Sequence, residues 1–360
     1  MQSGTNRVAS VVRATDIILH TVSRRSHQPD SVYTATRMIS VVGQYNVLER
    51  LGGGALGDVF RARDTRAGRT VALMVPPPEL TASPTRRARF LADARKAAKL
   101  NHPNIAMLFD IIEQDDGCYL AYEFAAGPSL REEMAGAAIE VRHALHLAAH
   151  IADALAEGHA KGIVHGDLRP DTIVVTPKGS VKVLNFGMTM WTTGGVARAK
   201  AAAGPDSLDR EGALVAGYLS PEQALGGAVD PRSDLFAFGV VLYEMLTGHQ
   251  PFAAATPGMT VRNVVGQTQA RPSAVNPDLP AALDAIVTKL LEKGLDARYQ
   301  TAADVAADLR RVTLELDGSV DAPVRGDSPP PRKAASHTIM WLALLALAAI
   351  TAAAWWFLTS

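Results

Sequence analysis

The sequence predicts an α+β fold of two lobes, a small β-rich lobe followed by a larger helical one, with a single membrane-crossing helix after them. Three observations carry this expectation. Between Tyr45 and Tyr122 short apolar runs alternate with glycine turns and one helical interruption. Beyond Gly127 apolar residues recur at helical spacing. Residues 339–358 form an apolar run of 20 positions without a charge. Strands grouped before helices separate into layers of an α+β kind instead of alternating as βαβ units.

Each element follows from its local pattern. The stretches YNVLERLGGGALGDVFRARD and GRTVALMV read as strands joined by turns, PTRRARFLADARKAAKLN as a basic amphipathic helix, and IAMLFDIIEQDDGCYLAYEF as two strands around Asp-Asp-Gly. In the second half, ALHLAAHIADALAEGHAKG carries an apolar helical face, and DLFAFGVVLYEMLTG is a buried helix ended by glycine. AALDAIVTKLLEKG and TAADVAADLRRVTLEL complete the region. The Ala/Gly-rich run VARAKAAAGPDSLDREGAL, which includes Ser207, reads as a mobile loop.

Composition narrows the function classes. With 36 Lys+Arg against 36 Asp+Glu the chain has no net charge, so nothing in its overall electrostatics argues for nucleic acid. One cysteine, Cys118, excludes a disulfide framework and fits a reducing compartment; within CYLAYEF it reads as a small core hydrophobe. The run Ile339–Leu358, flanked by Trp341 at one end and Trp355, Trp356 and Phe357 at the other, has the length and the aromatic ends of a bilayer helix. Arg332 and Lys333 precede it and only Thr359 and Ser360 follow, so the body is expected on the cytoplasmic side of the cell membrane, anchored at its C-terminus by a single pass. Ala348, Ala349, Ala352 and Ala353 repeat small residues at a spacing that permits homodimerisation through this helix, against the plainer reading of lipid-facing alanine. Residues 1–44, with five arginines and two acids before Ser40, lack a secretory signal and read as a disordered arm; translation from Met38 would remove most of it.

The motif Gly52, Gly54, Gly57 and Val59 spells G-x-G-x-x-G-x-V between two strands. Such a loop lets backbone amides approach phosphate oxygens, though any tight hairpin can be glycine-rich. VALM, HGDLRPDT at 165–172, NFG at 185–187, YLSPEQA at 218–224 and RSDLFAFGVVLYEMLTGHQPF follow in order. In this order and spacing the stretch from Tyr45 to about Arg311 resembles the catalytic domain of Hanks-type serine/threonine protein kinases, particularly the bacterial membrane-anchored ones. The resemblance implies a two-lobed protein-kinase-like fold with a nucleotide cleft between the lobes. It sets the domains as a kinase-like unit over 45–312 with lobes 45–124 and 125–312, a proline-rich juxtamembrane linker over 313–338 and the membrane helix over 339–358.

Position by position, the resemblance also implies which chemistry is present. The proton-accepting aspartate is Asp167, and Arg169 keeps a cation where the family has lysine. Gly52, Gly54, Gly57, Val59, Ala72, Tyr122, Glu123, Ala125 and Val174 fall on the nucleotide pocket, with Tyr122 guarding its back. The lysine that grips the α/β-phosphates is replaced by Met74, and no lysine occurs before Lys96 to substitute for it. The helix glutamate that would pair with that lysine falls at Asp93. The two magnesium ligands fall at Thr172 and Asn185, both neutral, so no metal site is expected and Asn185 offers at most a weak ligand. Gly166 replaces an arginine that would receive an activation-segment phosphate, and Val215 replaces a threonine of the substrate pocket. Glu222 with Arg298, Asp234, and His165 with Phe186 match positions that hold the fold.

The expected protein is a pseudokinase with a weak grip on ATP and none on magnesium, acting in signalling by docking a protein partner, an active kinase being one candidate. The rival expectation is an unconventional serine/threonine kinase that still moves the γ-phosphate of ATP to protein hydroxyls with Asp167 as base.

Overall fold

The computed structural model describes residues 41–320, apart from positions 82, 115–116, 205–207, 209–211 and 213–214. Its first lobe is one antiparallel sheet of six strands in the order β1-β2-β3-β4-β6-β5. These are β1 (Val41–Val42), β2 (Tyr45–Gly54), β3 (Gly57–Asp64), β4 (Arg69–Val75), β5 (Leu108–Gln114) and β6 (Gly117–Glu123). The glycine-rich run forms the β2–β3 hairpin, with Gly54 paired to Gly57. Gly57 has φ +112, and a Cβ there would collide with the backbone of Val75 and Pro76, so only glycine lets β3 pass this close to the end of β4.

Between β4 and β5 lie a short turn of helix, α1 (Pro78–Thr81), and the basic helix α2 (Pro84–Ala97). Ser83 caps α2 by accepting the N–H of Arg86, and Pro84 opens it where no N–H is needed. Phe90, Leu91, Ala94 and Ala97 share one buried face, which α2 turns toward the sheet. Cys118 is buried in β6 and its thiol pKa is pushed up by that burial, as suits a packing residue.

The second lobe is built around α7 (Pro231–Thr247), which is buried at every residue from Ser233 to Thr247, so all its sides face protein. Asp230 caps its start, and Gly248, at φ +76, ends it. Packed about it are α3 (Leu130–Met134), α4 (Val141–Ala160), α8 (Pro257–Gly266), α9 (Pro272–Val275), α10 (Ala281–Leu290) and α11 (Ala302–Val320). A two-stranded hairpin, β7 (Ile173–Val175) with β8 (Val181–Val183), lies where the lobes meet, and Ile105 forms a bridge to Val183. Two further helices, α5 (Thr193–Ala203) and α6 (Pro221–Ala224), follow β8.

The structure corrects two local expectations. The first part of the Ala/Gly-rich run expected as a loop, 196–203, belongs to a helix, Thr193–Ala203. Alanine is the best helix former, Thr192 Oγ1 caps the helix by accepting the N–H of Gly195, and Gly204 stops it. The last helix runs past its expected end at Leu316 to Val320, into the stretch expected as linker. Among the described residues no helix is long and apolar enough to cross a membrane. The expected membrane helix 339–358 and most of the arm 1–44 lie outside the described residues.

Candidate functional site

A cavity of about 430 Å³ opens between the two lobes. The β2–β3 hairpin covers it, and Val59, Ala72, Tyr122, Glu123, Ala125 and Val174 line it together with Gly52, Gly54 and Gly57. All nine residues that the sequence assigns to the pocket are thus brought to one place. Asp167, Arg169, Thr172, Met74 and Asn185 line the same cavity, whereas Asp93 is not among the lining residues.

The loop that presents Asp167 is anchored from below by Asp234. Its Oδ2 accepts the N–H of His165 at 2.8 Å and its Oδ1 that of Gly166 at 2.7 Å, so a buried carboxylate satisfies two loop amides at once. His159 Nε2 lies 2.8 Å from the same Oδ2. Burial holds the His165 imidazole below its ordinary pKa. Its Nδ1 accepts the N–H of Asp167 at 3.2 Å, which leaves the proton on Nε2 to be donated to the carbonyl of Leu184 at 2.9 Å. The Phe186 ring meets His165 edge-on at 5.0 Å. One histidine thereby ties the base loop to the Asn-Phe-Gly turn.

Around the base the charges are paired among themselves. Arg169 reaches Asp167 Oδ1 at 3.3 Å and Asp171 Oδ2 at 3.0 Å, and Lys182 reaches Glu123 Oε1 at 2.6 Å. Among the described lining residues Arg169 is the only cation, against three carboxylates: Glu123, Asp167 and Asp171.

The position of the phosphate-binding lysine is apolar in surroundings as well as in identity. Met74 is buried in a cluster with Leu56, Leu80, Phe90, Leu91, Leu120 and Trp191. Asp93 does not face it across the cleft: its Oδ2 accepts the indole N–H of Trp191 at 3.0 Å, and Lys96 stands 3.7 Å from its Oδ1. Trp191 packs edge-on against Phe90 at 5.3 Å. The magnesium positions differ in the same direction. Thr172 Oγ1 accepts the N–H of Arg169 at 3.1 Å and points its proton to the carbonyls of Arg169 and Asp167 at 2.9 and 3.2 Å, so loop closure consumes its hydrogen bonds. Asn185 sits at φ +59, a left-handed conformation that asparagine tolerates better than most residues, and its carbonyl accepts the N–H of Met188 at 3.1 Å. Among the described residues no group of three or more His, Cys, Asp or Glu side chains is placed to hold a metal ion. The side chains of Met74, Thr172 and Asn185 supply neither a carboxylate nor a cation, the groups by which a magnesium–triphosphate is held.

Three residues of the site escaped the sequence reading. Trp191 clasps α2, Thr192 lines the cavity, and Gly194 lies against Asp167, where a Cβ would fall inside contact distance of Oδ1, Cγ and Cβ. Asp167 is only 7% exposed, and its Oδ2 is buried with no hydrogen-bond partner among the described residues. A threonine pair followed by an alanine-rich run was the available signal for a capped helix at this place; its docking on Asp167 had none.

Residues 45–308 match the family model described as the protein kinase domain. The chain is 38% identical over 276 residues to serine/threonine-protein kinase PknB of Mycolicibacterium smegmatis, covering 75% of this chain and 43% of that protein. PknB of Mycobacterium leprae is 36% identical over 276 residues, with the same coverage of each. The chain therefore spans about two fifths of the length of these curated relatives. Among solved structures, the kinase domain of Mycobacterium tuberculosis PknI superposes with a TM-score of 0.59 at 24% identity, over 76% of this chain and 97% of that one, a likeness of fold.

Proposed function

The chain belongs to the protein kinase domain family and is homologous to bacterial serine/threonine kinases, and from that premise we propose that it is a catalytically impaired member that acts in signalling by binding a protein partner. One observation carries this reading: Met74 is buried among apolar side chains while Asp93 is spent on Trp191, so the ion pair that would orient ATP is replaced by packing. Thr172 and Asn185 add the loss of both anionic or amide metal grips of the family pattern. Removing one preorganised electrostatic group costs about 10²–10³ in rate, and such losses are not additive within one unit. Three together lower a family-typical turnover of about 1–100 per second by roughly four orders of magnitude.

What persists is the machinery of shape. Asp234, His165, Phe186 and the Glu222–Arg298 pair keep the lobes and the cleft in place, as a docking protein requires. The uncharged run 339–358 supports a membrane anchor for this body, with the kinase-like domain on the cytoplasmic face. The second reading, a slow unconventional kinase, draws on the survival of Asp167 with Arg169 beside it.

Phosphoryl transfer separates the two. The purified full chain in detergent, given ATP and magnesium, is followed for γ-phosphate transfer to itself and to a generic basic protein. The proposal expects no transfer above the level of Asp167→Ala. Transfer that vanishes in Asp167→Ala overturns it in favour of the second reading.

A further inference from the structure

We infer that the outer face of α2 lies on anionic phospholipid, so that a basic helix holds the body against the bilayer beside the anchor proposed above, on which this inference rests. Between residues 84 and 99 stand the cations Arg86, Arg87, Arg89, Arg95, Lys96 and Lys99 and a single acid, Asp93, in a chain of no net charge. Of the cations all but Arg87 are exposed. Asp93 does not neutralise the face, since its Oδ2 is given to the Trp191 indole and Lys96 stands 3.7 Å from its Oδ1. Glu113 on β5 takes Arg87 at 3.5 Å and Arg95 at 3.1 Å. Among the described residues Arg86, Arg89 and Lys99 make no ion pair.

The helix itself gains little from this charge. Arg95 and Lys96 in the last turn complement its dipole, but Arg86 stands in the first turn, where an acid is the favoured choice and none is present. Arg86 lies 5.7 Å from the centre of the Trp191 ring, and Arg89 reaches the sulfur of Met190. Cations at an end of the helix that disfavours them, with no acid of their own, call for a counter-charge from outside. The exposed cations are spread over about three turns, with Thr85, Ala88 and Ala92, also exposed and short, between them. A plane of negative charge fits such a stripe better than a single anion does, and Met190, 47% exposed at its edge, offers an apolar side chain to the headgroup layer.

The bilayer is also the anion nearest at hand. Residues 321–338 separate the last described helix from the apolar run 339–358. A stretch of that length spans at most about 60 Å, a reach that lets α2 come to the lipid surface at high effective concentration. Each cation near an anionic surface then adds about fivefold to the affinity.

Lys96 and Lys99, the first two lysines of the chain, carry the readout. The full chain is reconstituted in vesicles of phosphatidylcholine, with and without phosphatidylglycerol, and treated with a limiting amine-acetylating reagent. Modification of the pair is measured by mass spectrometry against the exposed Lys178 between β7 and β8. Phosphatidylglycerol should slow the pair relative to Lys178 about fivefold or more, and about 1 M salt should abolish the difference by screening. Arg86→Gln combined with Arg89→Gln should remove most of the slowing. An equal ratio in both vesicles, or slowing that the double variant leaves intact, overturns the inference. A stronger effect of soluble poly-glutamate than of the anionic vesicles assigns the face to an acidic protein and overturns it as well. Failure to enter phosphatidylcholine vesicles refutes the anchor by itself; the face is then read by flotation with phosphatidylglycerol vesicles, and a chain that does not float refutes the face too. None of these readings depends on phosphoryl transfer.

Discussion

Trp191 donates its indole N–H to Asp93 at 3.0 Å, joining the segment after the Asn-Phe-Gly turn to helix α2. An acid that the family pattern assigns to a lysine has been given a tryptophan, whose ring belongs to the same buried apolar cluster as Met74. Asp93→Ala leaves a nearly buried indole N–H without its acceptor, a loss worth about 1–3 kcal/mol. The variant should melt roughly 2–12 °C lower than the parent in a thermal shift measurement. Asp93→Asn, which keeps an acceptor oxygen, should recover most of the difference.

How much of this was legible depended on range. Local period and end signals specified the strands β2 to β6, the α2 and α7 helices and the order of the lobes. Met74, Thr172 and Asn185 stood out as departures because each occupies a fixed place in an ordered pattern. What sequence spacing does not carry is which of two distant groups a side chain chooses. Asp93 and Trp191 are 98 positions apart, and nothing local marks that pairing. The same holds for Gly194 on Asp167. Helix α5 was missed for a different reason: low-complexity Ala/Gly composition was read as absence of structure, although alanine favours helix and Thr192 supplies the cap.

The Glu222–Arg298 pair should dominate the acid sensitivity of the second lobe. Arg298 is 1% exposed and donates to Glu222 Oε1 at 2.9 Å and Oε2 at 3.3 Å, while Ser233 donates to Oε1 at 2.6 Å. Desolvation pushes the Glu222 pKa up, but the hydrogen bonds from Arg298 and Ser233 outweigh it and hold the carboxyl below its ordinary value. A depressed carboxyl contributes stability that is present above its unfolded pKa, 4.5, and is lost as pH falls through the folded value. Glu222→Gln should therefore cost most at neutral pH, and its deficit against the parent should shrink as pH drops below about 4.5. Glu222→Ala strands the guanidinium and should cost about 3–5 kcal/mol by urea unfolding. A deficit that stays constant from pH 7 to pH 3 would contradict the assignment.

Tyr122 carries a cost with no visible return in the protein alone. Its hydroxyl is buried with no hydrogen-bond partner among the described residues, and burial pushes its pKa far up. Tyr122→Phe keeps the ring in the cluster with Phe90, Leu108 and Leu120 and removes the unsatisfied group. Stability should rise by about 1 kcal/mol, or roughly 2–4 °C in melting temperature. A fall instead would mean that water or a ligand reaches the hydroxyl in solution.

On the proposed function, restoring single residues of the family pattern should not restore magnesium-dependent chemistry, because Met74, Thr172 and Asn185 each depart from that pattern. Asn185→Asp adds one carboxylate at a left-handed backbone position that aspartate can also adopt. It still faces a cleft with Met74 on the phosphate side and Thr172 closed on its own loop. Met74→Lys alone places an ammonium in an apolar cluster whose nearby acid is committed to Trp191, an uncompensated buried charge that should cost about 3–5 kcal/mol. Trp191→Phe in the same chain releases Asp93, so the double variant should be more stable than the sum of the two single effects by about 1 kcal/mol or more. Only the combination Met74→Lys, Thr172→Asn, Asn185→Asp and Trp191→Phe should show stabilisation by ATP that depends on magnesium in a thermal shift titration. Equal stabilisation by Asn185→Asp alone would mean that Met74 and Thr172 do not limit the site, and that the grip on phosphate lies elsewhere in the cleft.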